Sequence, residues 1–213
     1  MDRFANDLKL EIEKGLPGKE VQWALASSDR LVRDFPGTPR ADSSYAAVLI
    51  LLYKHHKKTN TVFIQRPAYD GVHGGQISFP GGKSEKNDAD IISTALREAE
   101  EETGIISQNV EIVGTLTPLF IPVSNIVVTP VVGWTKERPD FKPDPGEVLF
   151  VIEADMESFL DYSIVKTRPM EIRGENIVVR YFDYKGHVIW GATAMILHEM
   201  LTIINKAGLS RMV

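Results

Sequence analysis

The stretch Arg97-Glu98-Ala99-Glu100-Glu101-Glu102-Thr103-Gly104-Ile105 decides how this chain is read. It ends a segment, Asp88 to Thr103, in which Ile92, Leu96, Ala99 and Thr103 recur at helical spacing, and Gly104 supplies the stop. On a helix turning about 100° per residue, Glu98, Glu101 and Glu102 stand at i, i+3 and i+4. Their carboxylates are expected to form one stripe beside the apolar face and to meet at one place. Like charges at this spacing cost about a few tenths of a kcal/mol per pair, and acids in a last turn oppose the helix dipole. Stability alone does not select such a stripe. A hard divalent cation reverses the sign, because Mg²⁺ or Mn²⁺ prefers carboxylate oxygens and keeps waters that a phosphate can replace. The competing reading is a solvated acidic helix face.

Working outward, Phe79-Pro80-Gly81-Gly82-Lys83 precedes the helix and sets two glycines where backbone must come close to a ligand or metal. Upstream, Tyr45 to Tyr53 is a short unbroken apolar run, as expected of a strand covered on both faces. Thr61 to Gln65 is its expected neighbour across the basic turn His55-His56-Lys57-Lys58. Downstream, strands are expected at Val110 to Leu116, Ile126 to Trp134 and Val148 to Ile152, then a hairpin around Gly174 and a final helix from Gly191 to Lys206. Phe4, Leu8 and Ile12 space a short amphipathic helix closed by Gly15. Strands alternating with helices argue for an α/β fold, a mixed sheet with helices on both faces.

Composition narrows the partners. Lys and Arg total 24 against 29 Asp and Glu, a net charge of −5, the wrong sign for holding nucleic acid by charge alone. The absence of cysteine removes disulfides, zinc knuckles, iron–sulfur clusters and thiol nucleophiles together. The first residues carry acids early and lack a secretory apolar core, and Tyr45 to Tyr53 is about half of the roughly 18 residues a membrane span needs. A soluble, cytoplasmic protein is the expectation. Two other patterns fail on counting. Gly82-Lys83-Ser84 mimics the end of a P-loop whose first glycine would fall on Ile77, and His198-Glu199 opens a zinc-protease pattern whose second histidine would fall on Thr202.

Together the glycine loop and the acidic helix resemble the Nudix box, Gly-x5-Glu-x7-Arg-Glu-U-x-Glu-Glu-x-Gly-U, with U apolar. Its second half is matched by Arg97, Glu98, Ala99, Glu101, Glu102, Gly104 and Ile105. In the first half, Asp88 stands where glutamate is expected, counting from Gly82, and Arg97 arrives one residue late; Asp88 and Glu85 are therefore set apart from the metal set. Arg66-Pro67 with Gly71-Val72-His73-Gly74-Gly75-Gln76-Ile77-Ser78-Phe79-Pro80-Gly81-Gly82 is similar to the extra motif of the coenzyme A pyrophosphatase subfamily, and the likeness extends from about Tyr45 to Leu201.

The resemblance implies a Nudix fold, an α/β/α sandwich with a mixed β-sheet over residues 45–213, preceded by a helical or irregular extension at 1–44. It implies Mg²⁺ or Mn²⁺ held by Glu98 and Glu102, with Glu101 joining them or holding a second ion and the Gly82 carbonyl completing the shell. Arg97 would orient a carboxylate, and Glu147, on a later loop, would serve as general base. Arg66, His73, Gln76 and Lys83 would contact substrate; Trp190 reads as packing at a helix start. The implied reaction is hydrolysis of coenzyme A or acyl-CoA to 3′,5′-ADP and a 4′-phosphopantetheine product, with no nucleic-acid or membrane partner and a homodimer left open. The alternatives are a Nudix pyrophosphatase for ADP-ribose, a dinucleotide or a nucleoside triphosphate, and a non-catalytic nucleotide-binding regulator.

Overall fold

Strand β1 (Ser44–His55) lies at the centre of the main sheet because both of its faces are apolar, and every residue from Leu49 to Tyr53 is fully buried. The description comes from a computed structural model and covers residues 1–28, 37–67, 74–172 and 174–213. β2 (Lys58–Gln65) returns antiparallel through a two-residue turn, His56-Lys57, with both residues at positive φ as the right-handed strand twist requires. The hairpin then splays. Beyond Leu52, β1 takes the short strand β4 (Gly81–Lys83) as its antiparallel neighbour, while β2 pairs with β3 (Ile77–Ser78) and with β8 (Phe150–Asp155). The opening between the splayed strands is where the glycine loop enters.

On its other side β1 pairs parallel with β7 (Ile126–Thr135), which also carries β5 (Glu111–Thr115) and β6 (Leu119–Ile121) antiparallel. A second sheet of three strands, β9 (Val165–Ile172), β10 (Glu175–Tyr184) and β11 (His187–Trp190), follows the short helix α4 (Met156–Leu160). Helix α3 (Ile91–Thr103) covers one face of the main sheet, its Ala95 and Ala99 buried against Ala47, Leu49 and Leu51. On the opposite face, α1 (Arg3–Lys14), α2 (Lys19–Trp23) and α5 (Gly191–Lys206) bury Phe4, Leu8, Trp23, Met195 and Leu197 with Ile50 and Leu52. The arrangement is the expected α/β/α sandwich with a mixed sheet. No helix among the described residues is long and apolar enough to cross a membrane.

Two boundaries differ from expectation for a local physical reason. The acidic helix begins at Ile91, not Asp88, because Asp90 caps it by accepting from the Ser93 N–H at 2.7 Å and Asp88 is drawn to Arg97. Its buried line runs through Thr94, Ala95, Ala99, Glu102 and Thr103, while Ile92 and Leu96 are only half-buried. The strand expected from Val148 starts at Phe150, since the Val148 N–H closes a turn on the Asp144 carbonyl. His198-Glu199, a failed zinc pattern, contributes a clasp: the buried Glu199 carboxylate accepts from Gln22 Nε2 at 2.8 Å, Thr117 Oγ1 at 2.5 Å and the Gly18 N–H at 3.3 Å. It ties the segment before β1 to the last helix.

Candidate active site

The acids of α3 do not form one stripe; arginines sort them. Glu102 is 1% exposed, and both of its oxygens are engaged: Oε1 with Arg66 Nη2 at 2.9 Å and Oε2 with the Gly81 N–H at 2.7 Å. Arg66 also donates to the Gly81 carbonyl at 2.8 Å and to Ser78 Oγ at 3.3 Å, so it braces the glycine loop as well as the acid. Arg97 lies 2.9 Å from Asp88, 3.1 Å from Glu98 and 2.9 Å from Glu101, and donates to the Lys83 carbonyl at 3.0 Å. Glu101 is thereby held outward, its side chain 56% exposed. The carboxylates expected at one place are divided between an inner pair, buried Glu102 and half-buried Glu98, and an outer one.

Burial sets the electrostatics of that pair. It pushes the Glu102 carboxyl up to about 7 against the pull of Arg66 and of the Gly81 N–H, and the charges of Glu98 and Glu147 push the same way. Burial likewise raises Glu98, which Arg97 pulls down while Glu101 and Glu147 push up. Asp88, by contrast, is held well below the usual carboxylate range by Arg97.

Gly82 sits against Glu98 so closely that a Cβ there would come within 2.3 Å of Glu98 Oε2. Gly81 is confined from the other direction: at φ +151° its Cβ would lie 2.2 Å from the Ala47 carbonyl oxygen. The paired glycines are thus required by contact on both sides. Glu147 reaches the neighbourhood because its loop is pinned to the end of α3, the Lys142 N–H on the Thr103 carbonyl at 2.8 Å and the Asp144 N–H on the Glu102 carbonyl at 3.1 Å. Glu85 does not join; its backbone N–H donates to Asp88 at 2.8 Å.

Among the described residues, no three acidic or histidine side chains converge into a ready-made cation cage. The donor set nevertheless suits a hard divalent ion. A buried and a half-buried carboxylate that repel one another stand beside a backbone stripped of Cβ, all with oxygen donors.

Behind the glycine loop a cavity of about 700 Å³ opens between the two sheets. Arg66, Gln76 and Lys83 all line it, together with Gly81 and Gly82. His73 lies outside the described residues. Sequence reasoning missed the far wall, where Ile172 and Ile177 of the second sheet and Trp190 face the cavity, so Trp190 is a wall residue as well as packing against β10. It also missed Arg40, from the segment before β1. No local pattern marks any of these; they meet the site only through tertiary packing.

The NUDIX domain family model matches residues 44–159, which include the glycine loop, α3 and the Glu147 loop. The chain belongs to the Nudix family. It is 38% identical over 159 residues to Nudix hydrolase 15, mitochondrial, of Arabidopsis thaliana, an alignment covering 71% of this chain and 55% of the plant protein, so the chain spans about half the length of that Nudix relative. It is 36% identical to an uncharacterized Nudix hydrolase, NudL, of Photorhabdus laumondii, covering 75% of this chain and 84% of that one. A MutT/nudix family protein from Enterococcus faecalis shares the fold at a TM-score of 0.51 with 14% identity, over 97% of this chain and 76% of the other.

Proposed function

We propose that this Nudix protein hydrolyses the diphosphate bond of coenzyme A or an acyl-CoA, releasing 3′,5′-ADP and (acyl-)4′-phosphopantetheine. The observation that carries the reading is the cavity of about 700 Å³ against Gly81, Gly82 and Lys83, walled in part by Arg66 and Gln76 of the upstream motif. It offers room for an extended, partly apolar group beside Glu98 and Glu102.

Nudix hydrolases generally use divalent ions such as Mg²⁺ or Mn²⁺. Here Glu98, Glu102 and the Gly82 carbonyl would hold the ion, with Glu101 joining them or holding a second. When bound, such an ion supplies charge neutralisation for a diphosphate and Lewis acidity toward water. The chain's own residues do the rest. Arg97 keeps Glu98 and Glu101 in register, Arg66 keeps Glu102 in place, and Gln76, His73 and Lys83 contact the substrate. Glu147 takes a proton from the attacking water. The water oxygen bonds to one phosphorus as the bond from that phosphorus to the bridging oxygen breaks, leaving two phosphate monoesters.

The test is incubation with coenzyme A and excess Mg²⁺ or Mn²⁺, following 3′,5′-ADP by chromatography, with Glu102→Gln alongside. Metal-dependent release that the variant loses is the expected result. An intact coenzyme A pool with turnover of ADP-ribose, a dinucleotide or a nucleoside triphosphate would leave the Nudix chemistry and overturn the substrate; binding without any turnover would point to a regulator.

A further inference from the structure

Four charged side chains line the cavity among the described residues, and three are cationic: Arg40, Arg66 and Lys83, against Glu175 alone. In a chain of net charge −5 this is a local reversal of sign. Arg66 is committed to Glu102 and Gly81, and Glu175 is engaged elsewhere. The side chains of Arg40 and Lys83 have no hydrogen-bond or ion-pair partner among the described residues.

Both are fixed at the same rim. Lys83 stands opposite Ala46 across the β1–β4 ladder, and the next residue, Ser84, donates to the Tyr45 carbonyl at 2.9 Å. Arg40 stands at the head of a turn leading into β1, its N–H bonded to Ser43 Oγ at 2.8 Å and its carbonyl to the Ser43 N–H at 3.1 Å. Ser43 Oγ in turn donates to Asn125 Oδ1 at 2.7 Å, and Ser44 Cα is level with Ile126. The starts of β1 and β7 and the end of β4 therefore bring to one edge of the cavity two cations that are unpaired among the described residues. Arg40 precedes the part of the chain that the family model matches.

We propose that Arg40, with Lys83, forms an anion locus that receives a phosphate monoester carried by the substrate in addition to the diphosphate that is cleaved. The inference rests on the functional reading above and sharpens it: the favoured substrates are nucleotides phosphorylated at a second position, such as the 3′-phosphate of coenzyme A. A guanidinium donates two parallel hydrogen bonds to a phosphate, which lysine cannot reproduce.

The experiment has a binding arm and a turnover arm. In calorimetry, wild type is expected to bind 3′,5′-ADP about tenfold or more tighter than 5′-AMP, as one or two charge-assisted hydrogen bonds allow. In Arg40→Ala that ratio collapses toward one, and Arg40→Lys recovers only part of it. In turnover, the kcat/KM ratio of coenzyme A over dephospho-coenzyme A falls about tenfold in Arg40→Ala. If the variant weakens both nucleotides equally, Arg40 serves the common phosphate or none, and the proposal fails. If neither coenzyme is cleaved while the 3′,5′-ADP preference and its loss persist, the anion locus stands and the assigned reaction falls.

Discussion

At the scale of single residues, the site depends on two arginines that divide four acids. Glu102 is buried with one cationic partner, so its ionised form is a burden that Arg66 lightens. Its folded pKa of about 7 exceeds the ordinary 4.5, so the native state holds the extra proton and stability declines as pH rises between those values. Arg66→Gln extends that decline upward. Between pH 5 and pH 8 the variant should lose about 1 kcal/mol more stability than wild type loses in urea unfolding, on top of a pH-independent loss from the Gly81 carbonyl and Ser78 contacts that Arg66 also makes. Asp88 has the opposite sign. Its folded pKa is depressed, so its contribution is present above the unfolded value of 3.8 and is lost as pH falls through the lower range. Acid unfolding of Asp88→Asn should be shallower below about pH 4 than that of wild type, measured by circular dichroism.

At the scale of elements, the three-residue strand β4 works through what it lacks. The two glycines should separate in substitution. Gly82→Ala meets the end of a flexible side chain, so it should fold with a melting temperature near that of wild type while metal-dependent turnover drops about 100-fold from the displaced Glu98. Gly81→Ala meets the backbone of β1 at a φ that disfavours side chains and should lose about 3 kcal/mol or more of stability, read by denaturant titration. These elements also show what a sequence can disclose. β1 and α5 are legible because long apolar runs and sustained periods survive any context. Strands of two or three residues, β3, β4 and β6, carry no period and exist because a neighbour pairs with them. Mostly exposed β9 has no apolar alternation to read. The acids were legible from spacing, whereas the pairing of Arg66 with Glu102 spans the whole loop and helix between them. The same i, i+4 spacing that groups the acids also sets Arg97 beside Glu101, a pairing that takes Glu101 out of the stripe.

At the scale of the whole molecule, the segment before β1 is part of the core. Phe4 is 1% exposed and packs with its ring centroid 6.1 Å from that of Trp134; Glu11 pairs with Lys14 and with Lys206 of the last helix. Phe4→Ala should therefore destabilise the full chain by about 3–5 kcal/mol in urea unfolding, the cost of an emptied core position rather than of a frayed terminus. The Glu199 clasp ties the same segment to α5, whose first turn lines the cavity.

The parallel pairing of β1 with β7 has a consequence for the order of assembly. Ser44 must find Ile126, and Tyr53 must find Thr135, across everything from β2 to β6, including the acidic helix. Closing so long a span costs chain entropy before any contact repays it, which makes this step slow relative to local hairpins and helices. During synthesis the carboxylates leave the ribosome well before their sheet can close. The chain thus gains its local helices and hairpins early and the middle of its main sheet late, when β7 at last reaches β1.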